Sequence, residues 1–189
     1  MRIIAGKYRG RRLATFKADH IRPTTDRVKE SIFNKLQGEI NGARVLDLFS
    51  GTGNLSFEAL SRGAVFVEAV ELSKQSIAII RENAALLGVA IGSELTVCQA
   101  DVPKWLTQYQ GPPFDLIFID PPFTRKLAHE TLTALAGSAA MGDSTTAIIE
   151  ASSHERVEDA YDSLTRTDSR DYGDKQISFF RRESKDSAE

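Results

Sequence analysis

Cysteine is all but absent from this chain of 189 residues, and the one present, Cys98, rules out an internal disulfide. It lies in the strand-like stretch "ELTVC", where a buried core thiol is expected. Histidine is scarce as well: the three are scattered and predict no metal site. No apolar run approaches the roughly 18 residues of a membrane helix. The basic N-terminus has neither the apolar segment nor the cleavage site of a signal peptide, and "MRIIAGKYRG" is unlike a transit helix. A cytoplasmic protein is expected. Also lacking are a Gly-Lys-Ser/Thr triplet, which excludes a P-loop, and any internal repeat.

What is there is ordinary in bulk. With 41% apolar and 26% charged residues, a chain of this length predicts one globular domain around one core. The charge is unevenly spread. Residues 1–29 carry nine Lys/Arg against two Asp, and the rest carry fifteen against twenty-four Asp/Glu. A basic arm on an acidic body is a footprint of nucleic-acid binding.

Two short strands are expected over 2–5 and 11–16, around the basic turn "GKYRGRR". A helix over 26–38 follows, with Thr25 as its N-cap and Val28, Ile32, Phe33 and Leu36 on one face. Strands are then expected at 43–49, 65–71, 94–100, 114–120 and 145–151, with helices between them and a polar helical segment after the last. Ser73 should cap the helix that Gly88 ends. "DSLTRTD" and "KQISFFRR" predict a hairpin around "YGD". This is an α/β pattern: a mostly parallel, seven-stranded sheet, helices on both faces, an antiparallel C-terminal hairpin strand and a small basic N-terminal β-extension. The expected division is an extension over 1–24, a domain over 25–183 and a frayed tail over 184–189.

"LDLFSGTGN" is a strand, a Gly-x-Gly turn and a helix start. Gly51 and Gly53 allow backbone to approach a ligand. Ser56 stands where a dinucleotide fingerprint needs its third glycine. Asp47, just before the turn, would repel a pyrophosphate and suits an ammonium. Glu71, at the end of the second strand, suits two ribose hydroxyls, and Asp101, at the end of the third, an adenine amino group. An ammonium, a ribose and an adenine without phosphate describe S-adenosylmethionine.

After the fourth strand comes "DPPF". Its two prolines fix φ and remove two backbone donors. Asp120 and the Pro121 carbonyl can then accept hydrogen bonds from one exocyclic amino group, while Phe123 stacks on the ring that carries it. Such a nitrogen is a poor nucleophile, because its lone pair is conjugated. Fixed acceptors can hold it pyramidal and stabilise the positive charge it gains as it takes a methyl group.

"DLFSGTGN", Glu71, Asp101 and "DPPF" resemble class I S-adenosylmethionine-dependent methyltransferases of Rossmann-like fold that act on exocyclic amino nitrogens. With "MRIIAGKYRGRRL" and "IRPTTDRVKESIFN", the chain is similar to the bacterial RsmD family, from residue 1 to about residue 137. The resemblance implies methylation of N2 of a guanine in 16S ribosomal RNA of the small subunit. It implies cofactor roles for Asp47, Ser50, Gly51, Gly53, Glu71, Asp101 and Thr25, and target-base roles for Asp120, Pro121 and Phe123. The segment from Arg22 to Asp26 would line the cofactor's methionine end or the substrate entrance. Lys7, Arg9, Arg11, Arg12, Arg22 and Arg125 would meet RNA phosphates. Competing readings are a DNA adenine or cytosine amino-methyltransferase, a glutamine methyltransferase, and a non-catalytic RNA-binding module. A monomer is expected.

Overall fold

The computed structural model describes residues 1–16, 26–122, 126–152 and 156–183. They fall into two compact units, Met1–Gln99 and Ala100–Glu189.

The first unit carries α1 (Asp26–Lys35), β1 (Arg44–Leu48), α2 (Asn54–Ser61), β2 (Phe66–Glu71), α3 (Lys74–Leu87) and β3 (Leu95–Gln99). Its strands run parallel in the order β3-β2-β1, with Val45 opposite Val67 and Val67 opposite Leu95. Val45 to Leu48 are buried without alternation, so both faces of β1 are covered. Because the strands are parallel, Leu48, Glu71 and Gln99 end at one edge, where ligands bind in such sheets. Val28, Ile32, Phe33 and Leu36 are buried, as the helical spacing predicts. The α3 helix starts at Ser73, whose hydroxyl accepts the Ser76 N–H at 3.2 Å, and stops at Gly88 with φ +70°.

The N-terminal segment departs from expectation. Where two strands are predicted there is one antiparallel bridge, Arg2 to Arg12, supported by the Ile3 N–H to the Arg11 carbonyl at 3.0 Å. The ladder goes no further because the Ile4 and Ala5 N–H groups donate to the Glu58 carboxylate, at 2.8 and 3.1 Å.

The second unit carries α4 (Val102–Gln108), β4 (Phe114–Ile119), α5 (Leu127–Ala136), β5 (Met141–Ser152), β6 (Ala160–Tyr161), β7 (Leu164–Tyr172) and β8 (Lys175–Arg182). Its strand order is β4-β5-β8-β7-β6. The β4–β5 pair is parallel and every later pair antiparallel. Gly173, at φ +66°, turns the β7–β8 hairpin where "YGD" predicts it.

Three expectations change here. The described residues hold eight strands where seven are expected. Among the described residues no polar helix follows β5: residues 156–159 are irregular, and Ala160–Tyr161 pair with β7. Tyr161 is buried there, its hydroxyl 2.6 Å from His129 Nδ1 and accepting the Glu158 N–H at 3.0 Å. Cys98 is half-buried, because β3 pairs with a neighbour on one side within its unit.

Candidate active site

The turn after β1 is built from left-handed residues. Phe49, Gly51 and Gly53 have φ of +62°, +54° and +84°. A side chain in that region costs about 1–2 kcal/mol, which glycine avoids at two of the three. The two glycines serve different ends. A Cβ on Gly53 would lie 2.6 Å from the Phe57 ring, so its absence lets α2 pack close against the loop. A Cβ on Gly51 would meet only the Phe49 carbonyl, at 4.0 Å, so the space beside Gly51 is open to a ligand.

The loop is tied down from several sides. Ser50 donates its N–H to the Val70 carbonyl at 3.2 Å, and Gly53 donates to the Ser50 carbonyl at 2.8 Å. The Gly51 N–H donates to Glu71 Oε2 at 2.8 Å, while Glu71 Oε1 accepts the Ser73 N–H at 2.8 Å. Glu71 thus links the loop to the start of α3. Each of its oxygens keeps a second lone pair, enough for two hydroxyl donors. Because the Gly51 N–H is spent on a carboxylate, it is not offered to a phosphate. Leu72, directly after Glu71, is 63% exposed and presents an apolar surface beside it.

Asp47 lies beneath the loop, 1% exposed. Its Oδ2 accepts the Ser56 N–H at 3.0 Å and also the Ser56 hydroxyl. Burial pushes the Asp47 carboxyl up to about 7, against the pull of the Ser56 bonds and with the Glu71 charge adding to the rise. The residue chosen to face an ammonium therefore faces α2.

In the second unit, Asp101 is exposed and caps α4, its Oδ1 accepting the Lys104 N–H at 3.2 Å. Asp120 follows β4 directly and is half-buried; Pro121 is buried and Pro122 exposed. Phe123, Arg125, Arg22 and Thr25 lie outside the described residues. Among the described residues no group of His, Cys, Asp and Glu is placed to hold a metal ion.

The basic side chains of the arm divide into two kinds. Lys7 pairs with Glu94 at 3.2 Å and lies 4.8 Å from the Tyr8 ring centre, and Arg11 donates to the Leu86 carbonyl at 3.0 Å. Arg9 and Arg12 are exposed, with no ion-pair partner among the described residues.

Sequence reasoning passes over the residues that hold this arm. Lys29 and Glu58 are both buried and paired at 3.2 Å, with Arg62 Nε 2.7 Å from Glu58. Lys29 also donates to the Arg2 carbonyl at 2.7 Å and to Asn54 Oδ1 at 2.9 Å. Burial draws the Lys29 amine below its ordinary value, and Glu58 opposes the fall. Ser61 accepts the Tyr8 N–H on its hydroxyl at 2.9 Å and the Lys7 N–H on its carbonyl at 2.8 Å. The available signal is a lone charge within an apolar helix, as in "NLSFEALS", since a buried charge needs partners.

The family model described as "Conserved hypothetical protein 95" matches residues 1–181. Ribosomal RNA small subunit methyltransferase D of Haemophilus influenzae is 40% identical over 136 residues, 71% of this chain and 70% of that protein. The protein of the same name from Escherichia coli is 36% identical over 150 residues, 79% of this chain and 74% of that protein. A solved structure from Escherichia coli, provisionally described as a methyltransferase, superposes with a TM-score of 0.86 at 29% identity, covering 97% of this chain and 98% of that one. The α/β architecture is thus the Rossmann-like fold of class I methyltransferases.

Proposed function

Because this chain belongs to the conserved hypothetical protein 95 family, which is the RsmD family, we propose that it is an S-adenosylmethionine-dependent methyltransferase of small-subunit ribosomal RNA, acting on N2 of a guanine. One observation carries the cofactor reading: the glycine loop spends its Gly51 N–H on Glu71 and leaves open space beside that glycine. A loop built this way suits a ribose and disfavours a pyrophosphate. When bound, S-adenosylmethionine supplies an electrophilic methyl group on a positively charged sulfur.

The first unit takes the cofactor roles. Glu71 accepts from the ribose hydroxyls through its remaining lone pairs, Leu72 offers an apolar face to the adenine, and Gly51 and Gly53 shape the turn. Ser50 holds the loop to β2. Asp47, closed off by Ser56, serves the ammonium site from beneath the loop, through the start of α2 that it holds. In the second unit, Asp101 takes the adenine amino group. Asp120 and the Pro121 carbonyl accept from the guanine amino group, hold its lone pair toward the methyl, and stabilise the positive charge the nitrogen gains. With the cofactor bound, the nitrogen held by these acceptors would take the methyl group, the N–C bond forming as the S–C bond breaks. The amino proton, acidic only after transfer, leaves to Asp120 or to water. Phe123 stacks on the base, Thr25 lines the methionine end, and Arg9, Arg12, Arg22 and Arg125 meet phosphates alongside Lys7 and Arg11. The basic extension over 1–24, the domain over 25–183, a monomeric state and a cytoplasmic location belong to the same proposal.

Tritiated methyl transfer to small-subunit particles and to free RNA from a methylation-deficient strain, followed by nucleoside analysis, tests this. The expected product is N2-methylguanosine; label on adenine, cytosine or glutamine overturns the acceptor assignment. Asp120→Ala should slow transfer by roughly 100-fold or more, with cofactor affinity within about twofold of the parent. Full turnover in that variant removes Asp120 from the mechanism.

A further inference from the structure

We propose that Asn83 is a positioning residue that fixes the glycine loop and fastens it to the N-terminal arm, so that the two respond to cofactor together. Asn83 lies on α3 and is fully buried. Its Oδ1 accepts the Ala14 N–H at 2.7 Å, and its Nδ2 donates to the Ala14 carbonyl and to the Thr52 carbonyl, both at 3.1 Å. Those partners settle the amide's orientation: two carbonyls need the NH₂ group, and one N–H needs the oxygen. Both amide hydrogens are committed.

The two segments joined this way have separate duties in the proposed reaction. Thr52 is the central residue of the Gly51-Thr52-Gly53 turn, and Ala14 follows directly on the basic arm. They sit 38 positions apart in sequence. Asn83 is the side chain that satisfies backbone groups of both. It lies three residues after Ile80 and four before Leu87, on the inward face of α3, where an apolar residue would pack without difficulty. A polar group kept on such a face, with every hydrogen-bonding atom used, favours one arrangement of the segments it bridges. A ligand that steadies the loop thereby steadies Ala14, and by linkage an occupied arm steadies the loop.

This inference rests on the cofactor reading above, and hydrogen exchange separates the two. The full chain is compared with and without S-adenosylmethionine, and affinity is measured by calorimetry. Cofactor should slow exchange in the loop, residues 49–57, and also in residues 1–16. In Asn83→Ala, affinity should fall about tenfold and the slowing should be confined to the loop. Tyr161→Phe, which removes a buried hydrogen-bonding hydroxyl from the second unit, should keep affinity within twofold and keep the arm's response. No binding heat from the parent chain overturns the cofactor reading and this inference with it. Binding without slower exchange in residues 1–16 overturns the inference alone, and that measurement decides even if Asn83→Ala does not fold. Unchanged affinity in a folded Asn83→Ala also overturns it.

Discussion

Asp47 shows how much a residue's surroundings decide beyond its place in a motif. The carboxyl is held up to about 7, whereas its ordinary value is 3.8. The folded state therefore keeps this proton at pH values where the unfolded chain has released it. The stability Asp47 contributes is full below about 3.8 and is lost as pH rises to about 7, beyond which both states are ionised. Asp47→Asn, which keeps an oxygen for Ser56, should remove that dependence. Melting temperatures across pH 4 to 8 should decline less steeply for the variant than for the parent, and parallel curves would show that Asp47 does not titrate there. Gly51, Gly53 and Glu71 are legible from sequence because each answers a local need: a positive φ, a close approach, an acid at a strand end. The Ser56 partnership is not, since it depends on α2 turning back beneath the strand it follows.

Among the elements, the central strands and the helices between them follow from apolar periodicity, and Ser73 and Gly88 mark the ends of α3 within a residue. The misses share a cause, which is pairing imposed by a neighbour on residues of low strand preference. Gly142, Asp143 and Ser144 lie in β5 because it bulges against β4, between the partners Phe114 and Leu116. Arg170 and Asp171 lie in β7 because β8 pairs with them. The N-terminal segment fails in the opposite direction, because Glu58 claims the N–H groups that a longer ladder would use. Glu58→Ala should accordingly be costly, about 3–5 kcal/mol, since it leaves Lys29 buried without its counter-charge. Lys29→Met should cost less, because Glu58 keeps Arg62 and two backbone donors. Chemical denaturation of both variants checks the order, and equal losses would show that the ion pair is not what holds α1 to α2.

Over the whole molecule the decisive quantity is the distribution of charge. The excess of Lys and Arg in residues 1–29 is legible from composition alone, but which of those charges remain available is not. Arg9 and Arg12 are exposed without an acidic partner among the described residues, whereas Lys7 is engaged by Glu94. Arg9→Ala combined with Arg12→Ala should flatten the salt dependence of RNA binding. The slope of log affinity against log salt should shrink by about 1.4 to 1.8, at roughly 0.7 to 0.9 per phosphate contact. Titrations between 50 and 200 mM salt would read this, and an unchanged slope would move the RNA contacts away from these two side chains.

The fastening of the arm has a consequence for how the chain comes into being. Ala14 hydrogen-bonds to a residue 69 positions further on, and Lys7 to one 87 positions further on. At roughly 5–20 residues per second of translation, the arm waits on the order of ten seconds before its last anchor exists. For part of that wait, until Glu58 and Ser61 exist to hold it, it is an unanchored cationic segment at the mouth of a ribosome, itself largely RNA. Its early order can come from Glu58 and Ser61 once α2 has been made, and it is completed only when Asn83 and Glu94 follow, so this unit matures late, with its last third.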